Sequence, residues 1–306
     1  MIRIAIAERD LRARIAAAEP TWESRAKERA ANAVAKRRVD DGDGIWSDIK
    51  HVFMELQGWK CMYCEKPMPR PDPNGGASGK VEYDVEHFRP KNRVQPWPTE
   101  RVAKSRSIDY ASKLKHGAAS GYVHLAFDPW NYGVSCKVCN SELKGDRFPI
   151  LGKAAPRSKR RRELDAKERP CLVLPIGDEG RDPEGLLEWH GPTVRPRADL
   201  GDDDRVRAMA LIDFFELDTR QDLLLGRCVA IVLLHDWLED ARLDSQLRVE
   251  AEACIEQLLA DQATFAGCLR GYRDLYRRDR EEALQWRQRA RRYAASKEPE
   301  LLAMMP

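Results

Sequence analysis

Residues 81–91, VEYDVEHFRPK, and residues 128–149, DPWNYGVSCKVCNSELKGDRFP, decide the fold of this chain. In 81–88, Val81, Tyr83 and Val85 alternate with Glu82, Asp84 and Glu86, and a period of two predicts a strand that ends near His87. Residues 122–135 predict a strand and turn leading into Cys136-Lys137-Val138-Cys139. Residues 137–144 predict a short helix, with Gly145 as its C-cap. Upstream, Cys61-Met62-Tyr63-Cys64 has the same spacing. It follows residues 45–58, where Ile45, Ile49, Val52, Phe53 and Leu56 recur at helical spacing and Gly58 is the stop. One CxxC loop places two thiolates at adjacent corners of a tetrahedron, and two such loops complete a four-cysteine zinc site. Redox dithiols or a disulfide are the alternatives. A chain that opens without a secretory apolar core points to a reducing cytoplasm, where structural disulfides are rare. Structural zinc on Cys61, Cys64, Cys136 and Cys139 is therefore the expectation. Cys171, Cys228, Cys254 and Cys268 are scattered and read as small buried hydrophobes.

Working outward, 306 residues make about two domains at roughly 150 residues each. Hydrophobic residues reach 42%, enough for a core, and no apolar run is long enough for a membrane helix. Residues 5–40 read as a helix or helical pair broken near Pro20. Residues 65–80 read as a loop, and 92–121 as a basic insertion with one short helix. Residues 151–200 read as a Pro- and Gly-rich connector, and 203–295 as helical throughout. The expected units are an N-terminal helical segment (1–58), a cysteine-bearing unit (59–152), the connector (153–200) and a C-terminal helical domain (201–306). The expected class is α+β, a small ββα unit with a four-cysteine zinc site inside a mostly α-helical protein. The net charge of +3 hides a division. Residues 153–170 sum to +5, residues 199–264 to −10 and residues 270–297 to +6. The basic blocks suit a polyanion, although each also suits a solvated surface. The acidic helices suit a protein partner.

The order CxxC, Glu86-His87 at a strand end, Asn131, then CxxC-Asn140 with Lys144 resembles the HNH endonucleases, whose site is a ββα unit around one divalent ion. The segments VEHFRPKNRV, GYVHLAFDPWNY, CKVCNSELKGDRFP, DPEGLLEWHGPTVRP and RVRAMALIDFFELDTRQDLLLGR are similar to the retron- and Septu-associated (PtuB-like) HNH nucleases. The similarity spans most of residues 55–275, with motif-grade specificity only in 61–149. His124 stands where relatives often carry an aromatic residue. The resemblance implies an anti-phage defence nuclease working with a partner ATPase. It also gives Asn131 the task of fixing the loop that carries His87.

The chemistry agrees with that implication. Phosphodiester hydrolysis needs an activated water and stabilisation of the extra charge on phosphorus, which a hard divalent ion supplies. Glu86 and Asn140 offer the oxygen ligands that Mg²⁺ or Mn²⁺ prefers. His87 is the expected general base, because imidazole takes a proton from water near neutral pH. Glu86 and His87 are consecutive, so a regular strand sends them to opposite faces, and a local bend is needed for both to reach one phosphate. Asn140 also suits a helix N-terminal cap, and Asn131 a turn. Arg89, Lys91 and Lys144 are candidate phosphate contacts, or solvated charges. DNA is the expected substrate, with RNA not distinguished by the sequence. A zinc-bound nucleic-acid-binding or adaptor protein without catalysis is the rival reading.

Overall fold

The computed structural model describes residues 1–70, 83–99, 109–156, 161–177, 182–242 and 247–297. The expected residues 71–82 of the loop and strand, and the middle of the basic insertion, lie outside them.

Pro20 separates two N-terminal helices, α1 (Glu8–Ala18) and α2 (Trp22–Lys36). Each turns one apolar stripe inward: Leu11 and Ile15 from α1, Trp22, Ala26 and Ala33 from α2. The Trp22 indole donates to the carbonyl of Ile45 at 2.9 Å, which sets the start of the next segment. That segment is a 3₁₀ turn (Trp46–Ile49) running into α3 (Lys50–Leu56). Gly58 stops it at a φ of +64°, where a Cβ would lie 2.3 Å from the Gln262 carbonyl oxygen.

Strand β1 (Tyr83–His87) pairs antiparallel with a later strand, Tyr132–Cys136. Between them come α4 (Tyr110–Lys113) and the two-residue strand β2 (Lys115–His116). Residues 122–131 are not strand. They form two 3₁₀ turns, Val123–Leu125 and Pro129–Asn131, the second opened by the Asp128 carboxylate accepting from the Trp130 N–H at 3.0 Å. Pro129 at its start has no N–H to give to a ladder, so the strand begins only at Tyr132. That strand is β3 (Tyr132–Cys136), in register Tyr83↔Cys136 through His87↔Tyr132.

The segment after β3 is helical, as its composition implies, but it is a π-helix, Val138–Lys144. Gly145, at φ +47°, donates to the Asn140 carbonyl five residues back at 2.6 Å. Bonding from i to i+5 widens the turn. Residues five apart then share a face, and Cys139 and Lys144 are both buried. Strand β4 (Pro149–Ile150) pairs with β2.

The expected connector holds more structure than its Pro and Gly content implied: α5 (Arg161–Glu168) and a hairpin of β5 (Leu187–His190) and β6 (Thr193–Pro196). Leu164 and Glu168 anchor α5, and Leu187 and Val194 anchor the hairpin. The C-terminal half is helical, as read: α6 (Asp202–Phe214), α7 (Gln221–Asp240), α8 (Leu247–Leu259), α9 (Ala266–Arg278) and α10 (Arg280–Lys297).

Two apolar clusters result. One joins Tyr83, Val85, Tyr132 and Val134 of the ribbon to Leu11, Ile15, Trp22 and Phe53. The other joins Tyr63, Phe88 and Phe148, near the cysteines, to Phe215, Ile231, Leu234 and Tyr272 of the C-terminal half. The β1–β3 ribbon thus serves the N-terminal core with one face, while the cysteine loops serve the C-terminal core. Among the described residues no helix is long and apolar enough to cross a membrane. The fold is α+β, with small two-stranded sheets among helices.

Candidate active site and metal centre

The four CxxC cysteines converge. Their sulfurs all lie within 4.8 Å of one another, and Cys64 Sγ is 3.9 Å from Cys136 Sγ. That is far beyond the roughly 2.05 Å of a disulfide. It matches the edge of a sulfur tetrahedron around zinc, about 3.8 Å for Zn–S bonds near 2.3 Å. The donor set therefore fits a structural zinc ion, and no disulfide links these residues. Backbone bonds shape the first loop: the Glu65 N–H donates to the Cys61 carbonyl at 3.0 Å, and the Met62 N–H to the Val134 carbonyl of β3 at 3.1 Å. Burial pushes the Cys61 and Cys139 thiols well up. Cys136, the least buried, is lowered by hydrogen bonds from Cys139, Cys61 and Cys64. Four sulfurs this close hold four negative charges only around a cation. Cys171, Cys228 and Cys268 are buried as small hydrophobes, and Cys254 is half-buried.

Gln57, a residue the sequence reading did not single out, ties the loop to the ribbon. Its amide donates to the Lys60 and Val134 carbonyls at 2.9 and 2.8 Å and accepts the Val134 N–H at 2.7 Å. In the sequence Gln57 is only a glutamine before the Gly58 stop, and its complete burial is a fact of the fold.

His87 closes β1. Its Nε2 is 3.1 Å from the Ala126 carbonyl oxygen. A carbonyl only accepts, so Nε2 carries the proton and the lone pair sits on Nδ1. The ring is packed edge-on between Trp46 (4.7 Å between centroids, 88°) and Tyr132 (5.0 Å, 75°). The Tyr132 hydroxyl donates to the same Ala126 carbonyl at 2.5 Å. Burial, reinforced by Lys91 and Lys144, lowers the His87 pKa to about 3, so the imidazole is neutral at neutral pH.

Asn131 holds the segment that follows. Its Oδ1 accepts the Arg89 N–H at 2.8 Å, and its Nδ2 donates to the carbonyls of Arg89 at 3.0 Å and Leu125 at 3.3 Å. The Phe88 N–H donates to the Asn131 carbonyl at 2.8 Å. One side chain thus binds the exit of β1 to the 3₁₀ turn beside Ala126.

Glu86 points away from His87. The ladder is unbroken through Glu86↔Gly133 and His87↔Tyr132, so the anticipated bend does not occur within β1. Glu86 is buried and meets Lys144 of the π-helix, Nζ to Oε1 2.5 Å, off the direction of a hydrogen bond. Burial raises the Glu86 pKa and Lys144 opposes the rise. Lys144 also donates to the His87 carbonyl at 2.9 Å. Asn140 is half-buried on the same π-helix, which packs against β1. A carboxylate and an amide oxygen suit a hard divalent ion chemically, but Lys144 is already the counter-ion of Glu86.

The three candidate phosphate contacts divide. Arg89 is 2% exposed: its Nε donates to Glu168 at 2.9 Å and its Nη2 to Asp165 at 2.7 Å, among the rings of Phe88, Tyr122 and Phe148. It is committed to α5 and does not face a polyanion. Lys144, 1% exposed, is withdrawn in the same way beneath Glu86. Lys91 alone keeps partial exposure, its ammonium 4.3 Å from the centroid of the Trp46 ring that packs on His87.

Set beside known proteins, the chain matches no family model, no curated protein and no solved structure.

Proposed function

We propose that this chain is a metal-dependent endonuclease of the HNH kind that hydrolyses phosphodiester bonds of DNA, with His87 as general base. The observation that carries this reading is the setting of His87. It is neutral, its tautomer is fixed by Ala126, and the backbone that follows it is clamped by Asn131. With its pKa at about 3 the free ring is a weak base, so the role requires a bound phosphate anion beside it to raise that pKa toward neutral. Trp46 and Tyr132 restrict its rotation. Lys91 adds positive potential beside the ring, where a phosphate would be drawn. Glu86 and Asn140 would hold Mg²⁺ or Mn²⁺ only once Lys144 gives up Glu86, and the ion would then supply charge stabilisation at phosphorus and at the leaving oxygen.

A second reading has its own observation. Glu86 is paired with Lys144 on the face opposite His87, which suits a zinc-bound nucleic-acid-binding or adaptor protein without catalysis. Calorimetric titration of zinc-loaded protein with Mn²⁺ separates the two. The nuclease reading expects one site beyond zinc, lost in Glu86→Gln. Absence of that site in the wild type favours the second reading.

The anti-phage role is part of the same proposal, supported by the sequence resemblance and by the acidic stretch from α6 to α8 as a docking face for a partner ATPase. Phage plating on cells that carry both chains tests it: wild type lowers plating, His87→Ala restores it, and equal plating for both contradicts the role.

A further inference from the structure

Arg220 stands immediately before α7 and makes two kinds of contact. Its Nη1 donates to Cys139 Sγ at 3.3 Å. Its Nε and Nη2 grip the two oxygens of Asp222 at 3.2 and 2.9 Å. Lys66, just past the first CxxC loop, donates to the same carboxylate at 3.1 Å.

Zinc bound by four thiolates carries a net charge of two minus, and Arg220 brings a guanidinium N–H to one of its sulfurs, with Lys66 adding a second cation on the shared Asp222 carboxylate.

We propose that Arg220 is a counter-charge of the tetrathiolate zinc centre, and that through it the metal fastens the C-terminal helices to the CxxC loops. Apolar contact runs beside the charges: Phe215, at the end of α6, stacks on Tyr63 between Cys61 and Cys64, with centroids 4.1 Å apart. Arg220 is thus a positioning residue for zinc, acting through the sulfur of Cys139. The inference rests on zinc occupying the four cysteines and is independent of catalysis.

The test uses the full chain as wild type, Arg220→Gln, Arg220→Lys and Asp222→Asn. Metal content comes first: one zinc per chain is expected, and none in the wild type would sink the metal reading itself. Zinc release to excess chelator is then timed. Outer partners of metal ligands typically contribute 10–100-fold in affinity, so Arg220→Gln is expected to release zinc about tenfold faster, with Arg220→Lys between. Asp222→Asn leaves the bond to sulfur intact and retains zinc like wild type. In the cobalt-substituted protein, losing an N–H donor from one thiolate moves the sulfur-to-cobalt band to lower energy in Arg220→Gln. Release within twofold of wild type with an unmoved band overturns the proposal. So does equal loss of zinc in Asp222→Asn, which would make the contact one of packing only.

Discussion

His87 and Lys144 show how burial sets the behaviour of single residues here. The His87 pKa in the folded chain, about 3, lies below the roughly 6.5 of a free imidazole. Folding therefore favours the neutral ring. Its contribution to stability is complete above pH 6.5 and is lost as pH falls toward 3. Between pH 6.5 and 5 the loss comes to about 2 kcal/mol. Denaturant titrations across that interval should show His87→Gln losing about 2 kcal/mol less than wild type, and equal losses would contradict the assignment. For Lys144, removing the cation leaves Glu86 charged and buried without a partner. Lys144→Met is expected to cost about 3–5 kcal/mol, read from the shift in the urea midpoint at unchanged slope. A loss below about 1 kcal/mol would show that the pair is not desolvated as described. Asn131 was legible through the family resemblance, which gave it the loop after His87, and not through spacing, since the Arg89 backbone it holds lies 42 residues away. Arg89 was not legible, because Asp165 and Glu168, which claim its guanidinium, lie 76 and 79 residues away.

At the scale of elements, the ribbon and the π-helix act as a unit. The two-residue alternation in 81–88 was enough to place a strand ending at His87, and the described part, Tyr83–His87, is that strand. Over seven residues, periodicity does not separate an α-helix from a π-helix. What selects the wider turn is the simultaneous burial of Cys139 and Lys144, together with Gly145 at positive φ, and these are tertiary facts. The 3₁₀ turns before β3 were missed because Pro129 and Asp128 override the apolar run from Tyr122 to Phe127. The close approach of ribbon and cysteine loop yields a sharp expectation. Gly133 sits opposite Glu86, and a Cβ there would lie 2.2 Å from Met62 Sδ, inside the first CxxC loop, and 3.2 Å from Ile176. Gly133→Ala should destabilise by about 1–3 kcal/mol through overpacking and should weaken zinc retention with it. A stable variant with full zinc content would show that Met62 moves aside freely.

For the whole molecule, the cysteine centre lies where two cores meet. The ribbon beside it packs on α1–α3, and the loops around it pack on the C-terminal helices. The helical character of 203–295 was legible from composition and spacing, and the convergence of the two CxxC pairs from their spacing alone. The division of the core was not, because a single sequence does not say which faces meet. Removing zinc with a chelator should lower the melting temperature by more than about 10 °C. Removing Mg²⁺ should leave the melting curve of zinc-loaded protein where it is. Identical melting with and without zinc would contradict the structural role of the four cysteines. The central claim is that the fixed, neutral His87 is the base of a nuclease. Its most direct test is nicking of supercoiled plasmid in Mg²⁺ or Mn²⁺ by wild type and by His87→Ala, each with its duplex binding measured in parallel. The account predicts cleavage by wild type, abolished in His87→Ala and by chelator, with binding retained. Equal cleavage by both proteins, or binding without cleavage by either, would contradict it.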